Sequence, residues 1–583
     1  MKIKLKKLVF ISVTICLLLQ SFVGFAAEIG DKKGDVLATD IVTYIEGVKV
    51  PSFNIAGRTA IIVENLNAMN LPFRVYYSNL TRTLTIFDGD KATRDYFHFA
   101  DSKFDVPVGT PVLDVLHTDI ETFYYGEKLE SFNIGGYTCV YVTDFATLYG
   151  KYTWDEYARR VDVFRQKEET EGYISKKVAS SAFSLDKTTF ERSDIHVRWG
   201  SPRKSYIAKG TKGTFYTIDF SDDVKVEQYD ESLESISSFT IKPELPILGT
   251  FLEGEEYNYI VTGQQNTKES NTLSVIKISA YDKSFKKKWD IPISNCNTTI
   301  PFDACNVSLT EKNRYLILHT SRSQYKDKNG LMPQTQLTVI VDKLTREVIN
   351  PLDKFQSNHT SHALMGFVTA DNEKIITANY SDANPIRGAF IQELDFKGNL
   401  LSTYKMFGAG GPSGANCTGA MLGGFAVSKD SYIMALSSID HSLATDYYDT
   451  KIEGVPREER DVYIVTSNKK GGNLKTTCLT SYSGEEYTSS DPYLVELESG
   501  YYMVLWQKFS VNSAKSDTVC YAFIDKNGEL VGETKKVSGQ LSESCLPIEA
   551  NGNVMWYTNT ATGRVFYTIN SDPSTHFSEI NLF

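Results

Sequence analysis

From about residue 211 to the C-terminus, apolar and polar positions alternate in short runs, the period of two that a half-buried strand imposes. One phrase punctuates these runs six times: Tyr229-Asp230, Tyr281-Asp282, Val341-Asp342, Leu394-Asp395 with Gly398, Ser467-Asn468 with Gly471, and Ile524-Asp525 with Gly528. An Asp or Asn side chain can fold onto the backbone ahead of it, and a following glycine accepts positive φ. Each phrase therefore predicts a hairpin. Between the hairpins a second strand recurs with a polar tail, at Tyr257 to Gln264, Arg314 to Ser321, Lys374 to Ser381, Tyr432 to Ser438, Tyr502 to Lys508 and Val554 to Asn559. Two strand pairs per period of roughly 50 to 70 residues make one four-stranded propeller blade. The pattern predicts six blades, or seven if residues 176–225 add another, with Val565 to Ile569 pairing with an N-terminal strand to close the ring. Stacked β-sandwiches also use short strands at even spacing; the phasing of the six hairpins favours the propeller.

The first third is patterned differently. Ser52-Phe53-Asn54-Ile55-Ala56-Gly57-Arg58-Thr59 returns as Ser131-Phe132-Asn133-Ile134-Gly135-Gly136-Tyr137-Thr138. Thr39-Asp40-Ile41 answers Thr118-Asp119-Ile120, and Thr83 to Ile86 answers Arg160 to Val163, so the chain carries an internal duplication. Each copy reads as two short strands, a glycine turn and a helical segment; in the first copy Ile62, Leu66 and Met69 share a helical face within Ile61 to Met69. A last strand, Thr83 to Phe87, ends the unit. Gly57 and Gly136 suit positions that require positive φ. The fold class expected is thus mainly β: a small duplicated α/β module, residues 28–168, followed by residues 169–210 as linker or first propeller strands, and the β-propeller, residues 211–583.

On the S-F-N-I-x-G-x-T phrase, the aromatics Tyr76, Tyr77 and Trp154, and the T-R-T-L-T-I strand, residues 36–165 resemble the copper amine oxidase-like N-terminal domain of exported proteins of Gram-positive bacteria. That resemblance implies a small α/β spacer or attachment domain. It implies no oxidase activity, for the chain has no H-x-H among its eight histidines. Thr377-Ala378-Asn379-Tyr380 is a fragment of the cofactor-forming tyrosine motif with its spacing one residue short and serine in place of the acid. Stretches of the second part, among them Asn297 to Asp303, His319 to Ser321 and Thr360 to His362, are similar to exported propeller proteins of Gram-positive bacteria.

Residues 1–27 read as a secretory signal, with Lys2, Lys4, Lys6 and Lys7 before the apolar run Leu8 to Leu19 and small residues near Ala27. The expectation is a secreted or cell-surface protein, with no transmembrane segment after signal cleavage. Its 61 basic residues less those four leave 57 against 72 acidic ones, a formal charge of −15 that opposes nucleic-acid binding. Seven cysteines follow the signal, too few for a disulfide framework and without a C-x-x-C pair. Cys296 and Cys305 are close enough in sequence to close a loop or to remain small buried thiols.

Candidate chemistry is sparse. No G-x-S-x-G elbow is present, and Gly408 to Gly414 lacks the Lys-Ser/Thr of a phosphate loop. His359-x-x-His362 has a spacing that can place two imidazoles on one side of a turn, with no third ligand fixed, so no metal and no cofactor is expected. Versatile polar groups concentrate in two neighbouring repeat units: His319 and Arg322, then His359, His362, Asn379, Tyr380, Asp382 and Arg387. They provide donors, an acceptor and a stacking face suited to a polyol or carboxylate. The function expected is an exported, non-catalytic binding or scaffold protein whose propeller presents loops to a cell-wall glycan, a polysaccharide or a protein. The alternative is a secreted carbohydrate-active enzyme with acids in the propeller mouth.

Overall fold

The computed structural model describes residues 28–576 apart from 69–70, 90–95, 100–103, 157, 166–168, 193–198, 384, 456–458, 483 and 561–562. The signal expected at residues 1–27 and Met69 of the expected helix lie outside the described residues. The chain divides into two compact units, Met1–Tyr149 and Gly150–Phe583. Among the described residues no helix is long and apolar enough to cross a membrane.

In the first unit the duplicated phrase forms a hairpin in each copy, Ser52–Ile55 with Arg58–Ile62 and Ser131–Ile134 with Tyr137–Tyr141. The turn explains the motif. Asn54 Oδ1 accepts from Gly57 N at 3.1 Å and Asn133 Oδ1 from Gly136 N at 3.0 Å. Both central residues have positive φ, Ala56 and Gly57 at 49° and 87°, Gly135 and Gly136 at 56° and 91°, as a two-residue hairpin turn matched to strand twist requires. With Lys32–Leu37 and Pro111–Leu116 the two hairpins close a six-stranded barrel.

The closure is symmetric. Ile61 pairs with Val140, and Asp35 with Asp114, each residue facing its own counterpart from the other copy. The core repeats the pattern, with Phe53 and Phe132, Ile55 and Ile134, and Val36 and Val115 all buried together. A fused pseudo-dimer of two sequence copies therefore forms an isologous contact within one chain.

The helical segments differ between copies. Val142–Tyr149 is an α-helix, whereas the first copy makes only a 3₁₀ helix, Val63–Asn67, shorter than the sequence pattern predicts. Asn65 accounts for the difference: its amide donates to His98 O at 3.0 Å and accepts from His98 N at 2.8 Å, a tertiary clamp competing with helix continuation.

Among the described residues of the second unit, seven sheets succeed one another along the chain, five of four strands, one of five and one of six, antiparallel except where Thr170–Glu171 runs parallel to its neighbour, and the innermost strands of consecutive sheets touch. This is a β-propeller, and it disposes of the sandwich alternative. The first sheet begins at Ser205–Lys209 and Phe215–Phe220, within the stretch left open for a further blade, and carries the Asp230 turn; the sheet without such a phrase is the last, Ile548–Ala550, Asn553–Thr560 and Gly563–Asn570. All six Asp or Asn phrases join the third and fourth strands of their sheets. Asp230, Asp282, Asp395 and Asp525 each accept at Oδ1 from the backbone N–H two and four residues on, and Asn468 does the same. In the first two turns the left-handed position falls to Leu233 and Phe285 rather than glycine, and both side chains are buried in the core. Burial there offsets a backbone cost of about 1–2 kcal/mol.

The ring is closed in two ways. Ser175–Ser180 adds the outer strand to the last sheet, Val178 pairing with Val565, so the run Val565 to Ile569 pairs with a strand from before the array. Then Arg564, from the last sheet, reaches into the first. Its Nη1 donates to Asp219 Oδ2 and its Nη2 to Glu227 Oε2, both at 2.6 Å, with Asn559 and Tyr557 also bonded to Asp219. The seven cysteines among the described residues are all free and buried, Cys296 and Cys305 included.

Candidate functional site

The propeller loops border an open chamber of about 390 Å³ lined by Trp199, Gly200, Asp303, Ala304, Gln334, His362, Leu364 and Asn416. Trp199 and Gly200 also border a second cavity of about 350 Å³, where Arg203, Lys204, Arg460, Asp491 and Glu543 gather. Gly200 is needed here by contact, since a Cβ would stand 2.6 Å from Leu364 O, and its N–H donates to that same oxygen at 2.9 Å. Trp199 remains 55% exposed.

Three loops build the chamber wall. The first runs through Phe302, Asp303 and Ala304, with Phe302 and Ala304 at φ 61° and 57°. Buried Phe302 lies so close to Gly249 and Gly263 that a Cβ on either would meet its ring within 3 Å. Asp303 is held by Ser323 Oγ, which donates to Oδ2 at 2.5 Å, while Gln334 Nε2 donates to Asp303 O and to Ala363 O.

The second loop carries His362 at φ 52°, a conformation uncommon for a side chain of that size. Its ring Nδ1 lies 2.8 Å from Asp382 Oδ1; the imidazole is 45% exposed and the carboxylate 1%. That contact fixes the orientation of the ring.

Arg387 organises the third loop. Fully buried, it donates to four carbonyl oxygens, those of Asp382, Gly410, Ala415 and Cys417, and so pins the glycine-rich stretch that presents Asn416. Two buried acceptors around this chamber have no hydrogen-bond partner, Gln334 Oε1 and Asp382 Oδ2. Such groups are rare in a folded interior and ask for a donor.

The eight residues singled out by sequence do not form one site. His362 alone lines the chamber, with Asp382 and Arg387 directly behind it. His319 and Asn379 do meet, Nε2 to Oδ1 at 2.8 Å, but inside the protein between the third and fourth sheets, where Thr338 closes the network on the other ring nitrogen at 2.9 Å. Burial pushes His319 down to about 4, against a smaller opposing pull from Asn379. It is neutral at pH 7.

Arg322 is buried and donates to the carbonyl oxygens of Cys296 and Leu352; burial lowers it to about 10. His359 packs edge-on against Phe355 at 4.4 Å, and burial together with Arg322 lowers its pKa. Tyr380 is fully buried, its hydroxyl held well above the usual tyrosine range by burial. Among the described residues no three His, Cys, Asp or Glu side chains come together as a metal site, so His359-x-x-His362 stands apart from any such cluster. Sequence reasoning missed Trp199, Asp303, Gln334 and Asn416. The phrase Asn297 to Asp303 and the run Gly408 to Gly414 were visible, but nothing in them indicates which end faces the chamber.

No protein-family model matches the chain, and no curated protein matches it. Similar solved structures are β-propellers. BamB from Moraxella catarrhalis aligns at 12% identity and a TM-score of 0.33, over 66% of this chain and 99% of that one. The WD40 propeller domain of Doa1 aligns at 11% and 0.36, over 68% and 100%. An α-L-arabinanase from Penicillium chrysogenum, complexed with arabinobiose, aligns at 11% and 0.33, over 68% and 100%. No family model or curated protein supports the copper amine oxidase-like resemblance of residues 36–165.

Proposed function

We propose that this chain is an exported or cell-surface binding protein whose propeller chamber takes a carbohydrate chain without cleaving it. The duplicated module, with its resemblance to the copper amine oxidase-like N-terminal domain, is read as the spacer or attachment part. The observation that carries the reading is the chamber lining. An exposed indole, Trp199, borders the same cavity as Asp303, Gln334, His362 and Asn416, and an apolar ring face beside planar hydrogen-bonding groups is what a sugar ring, with its apolar faces and hydroxyl rim, requires. Of the lining residues, Gln334 has an acceptor, Oε1, that lacks a donor, which suits a hydroxyl ligand.

A glycan array combined with a reducing-end assay tests this. Binding of a defined glycan with no new reducing ends is the result expected. New reducing ends would transfer the chain to the carbohydrate-active alternative, and an array without any bound glycan would remove the reading.

A further inference from the structure

The duplication makes each part of one copy a control for the other, and the terminal hairpins differ in what they touch. In the second copy this hairpin is Gly150–Asp155 with Arg160–Arg165, and it is packed within the propeller unit. One of its faces carries Lys151, Thr153, Asp162 and Phe164, since Lys151 pairs with Phe164 and Thr153 with Asp162 across the ladder. Lys151 forms a buried ion pair with Asp461 of the fifth sheet; burial opposes its charge, and Asp461 together with Cys478 and Asp440 leaves the lysine raised. Phe164 is 3% exposed and joins the cluster of the fourth and fifth sheets beside Tyr463. A cation and a phenyl ring on adjacent strands thus seat the hairpin on a sheet surface that offers a carboxylate beside an aromatic recess.

The first copy has the same hairpin, Phe73–Ser78 with Thr83–Asp88, and by the duplication Arg74 stands where Lys151 does and Phe87 where Phe164 does. Arg74 pairs with Phe87 across the ladder, as Lys151 does with Phe164. Here, however, the face is exposed. Arg74 is exposed, Phe87 is 40% exposed, Tyr76 beside them 68%, and Tyr125, in the turn that follows the neighbouring strand Glu121–Tyr124 and edge-on to Phe87 at 5.9 Å, is 59% exposed. The buried Arg160–Asp162 ion pair of the second copy has two threonines, Thr83 and Thr85, in its place, so the first copy has no internal charge to satisfy there. Contiguous exposed aromatics rimmed by polar groups mark an interaction surface.

We propose that the Arg74, Tyr76, Phe87 and Tyr125 face of the first copy docks a separate protein, through a β-sheet surface bearing a carboxylate for Arg74 next to an apolar recess for Phe87. The fit is that of the second copy on the propeller, reproduced between chains.

The test places a photo-crosslinking phenylalanine analogue at Tyr76 of the full-length protein, in the cells that naturally make it, and identifies the adduct by mass spectrometry. The result expected is one protein adduct whose cross-linked peptide is a strand containing Asp or Glu. Its yield should fall at least about tenfold in the Arg74→Glu, Phe87→Ala double variant, and reversing the partner's acid to lysine should restore it against Arg74→Glu. The same analogue at exposed Leu344 serves as the control and should give no such adduct. No adduct, an adduct with a second copy of this chain, an adduct only with polysaccharide, or a yield unchanged in a double variant that melts like the parent would each overturn the proposal.

Discussion

The barrel of the duplicated module and the ring of the propeller both solve the problem of exposed strand edges, by different means. The barrel closes on backbone ladders alone, with Ile61 opposite Val140 and Asp35 opposite Asp114, so two equal copies provide both halves of each seam. The propeller has no such symmetry at its seam, where the last sheet meets the first. It uses a strand from before the array, Ser175–Ser180, and then a buried charge cluster, Arg564 with Asp219 and Glu227. A seam made by symmetry needs no special residues, whereas a seam between unlike sheets is fixed by particular side chains and is open to single substitutions.

The largest effect should follow from removing the propeller's seam charge. Arg564→Ala leaves two carboxylates buried without their cation and should cost about 3–5 kcal/mol by denaturant unfolding. Adding Asp219→Asn and Glu227→Gln should recover much of that loss, because the penalty lies in the stranded charge. A loss below about 1 kcal/mol for the single variant would mean that the ladder alone closes the ring, as in the barrel.

Acid should loosen the propeller before the barrel. Buried His319 and His441 both stand at about 4 in the folded chain against an ordinary 6.5, burial being the main cause in each. A depressed histidine favours the neutral form, so its contribution is complete above about pH 6.5 and is lost as pH falls toward about 4, by about 3 kcal/mol per histidine at most. Unfolding curves at pH 7 and pH 5 should differ accordingly, and His319→Gln, which keeps a neutral hydrogen-bonding side chain, should narrow the difference.

In the barrel, Ala56→Gly gives the first copy the turn that the second already has in Gly135 and should stabilise by about 1 kcal/mol, by relieving a left-handed alanine. The smallest effect is expected at Lys32, whose Nζ bridges the facing pair Asp35 and Asp114 at 2.6 and 2.7 Å on the surface. Lys32→Ala should weaken the barrel slightly at low salt and not at high salt, which thermal melts at two ionic strengths would read.

These differences also explain what was legible in the sequence. Turns are local, so Asp230, Asp282, Asn468 and their fellows, and the Asn54 and Asn133 hairpins, could be read directly. Pairing with the strand that contains Val178 was legible because the final run Val565 to Ile569 needed a partner. Polar side chains on a strand gave no such direction. His319 and Asn379 turn inward between sheets, and Arg322 and Arg387 clamp carbonyls, roles set by neighbours far away in the chain. Trp199 belongs to no repeat, and only the folded ring brings it to the chamber that His362 borders.

The most direct test of the account is calorimetric titration of an array-selected glycan into the parent protein, Trp199→Ala and Phe87→Ala. The account predicts that Trp199→Ala weakens binding about tenfold or more, since a stacked aromatic anchor carries 1–2 kcal/mol or above, while Phe87→Ala binds as the parent does. Unchanged affinity in a folded Trp199→Ala protein would contradict it.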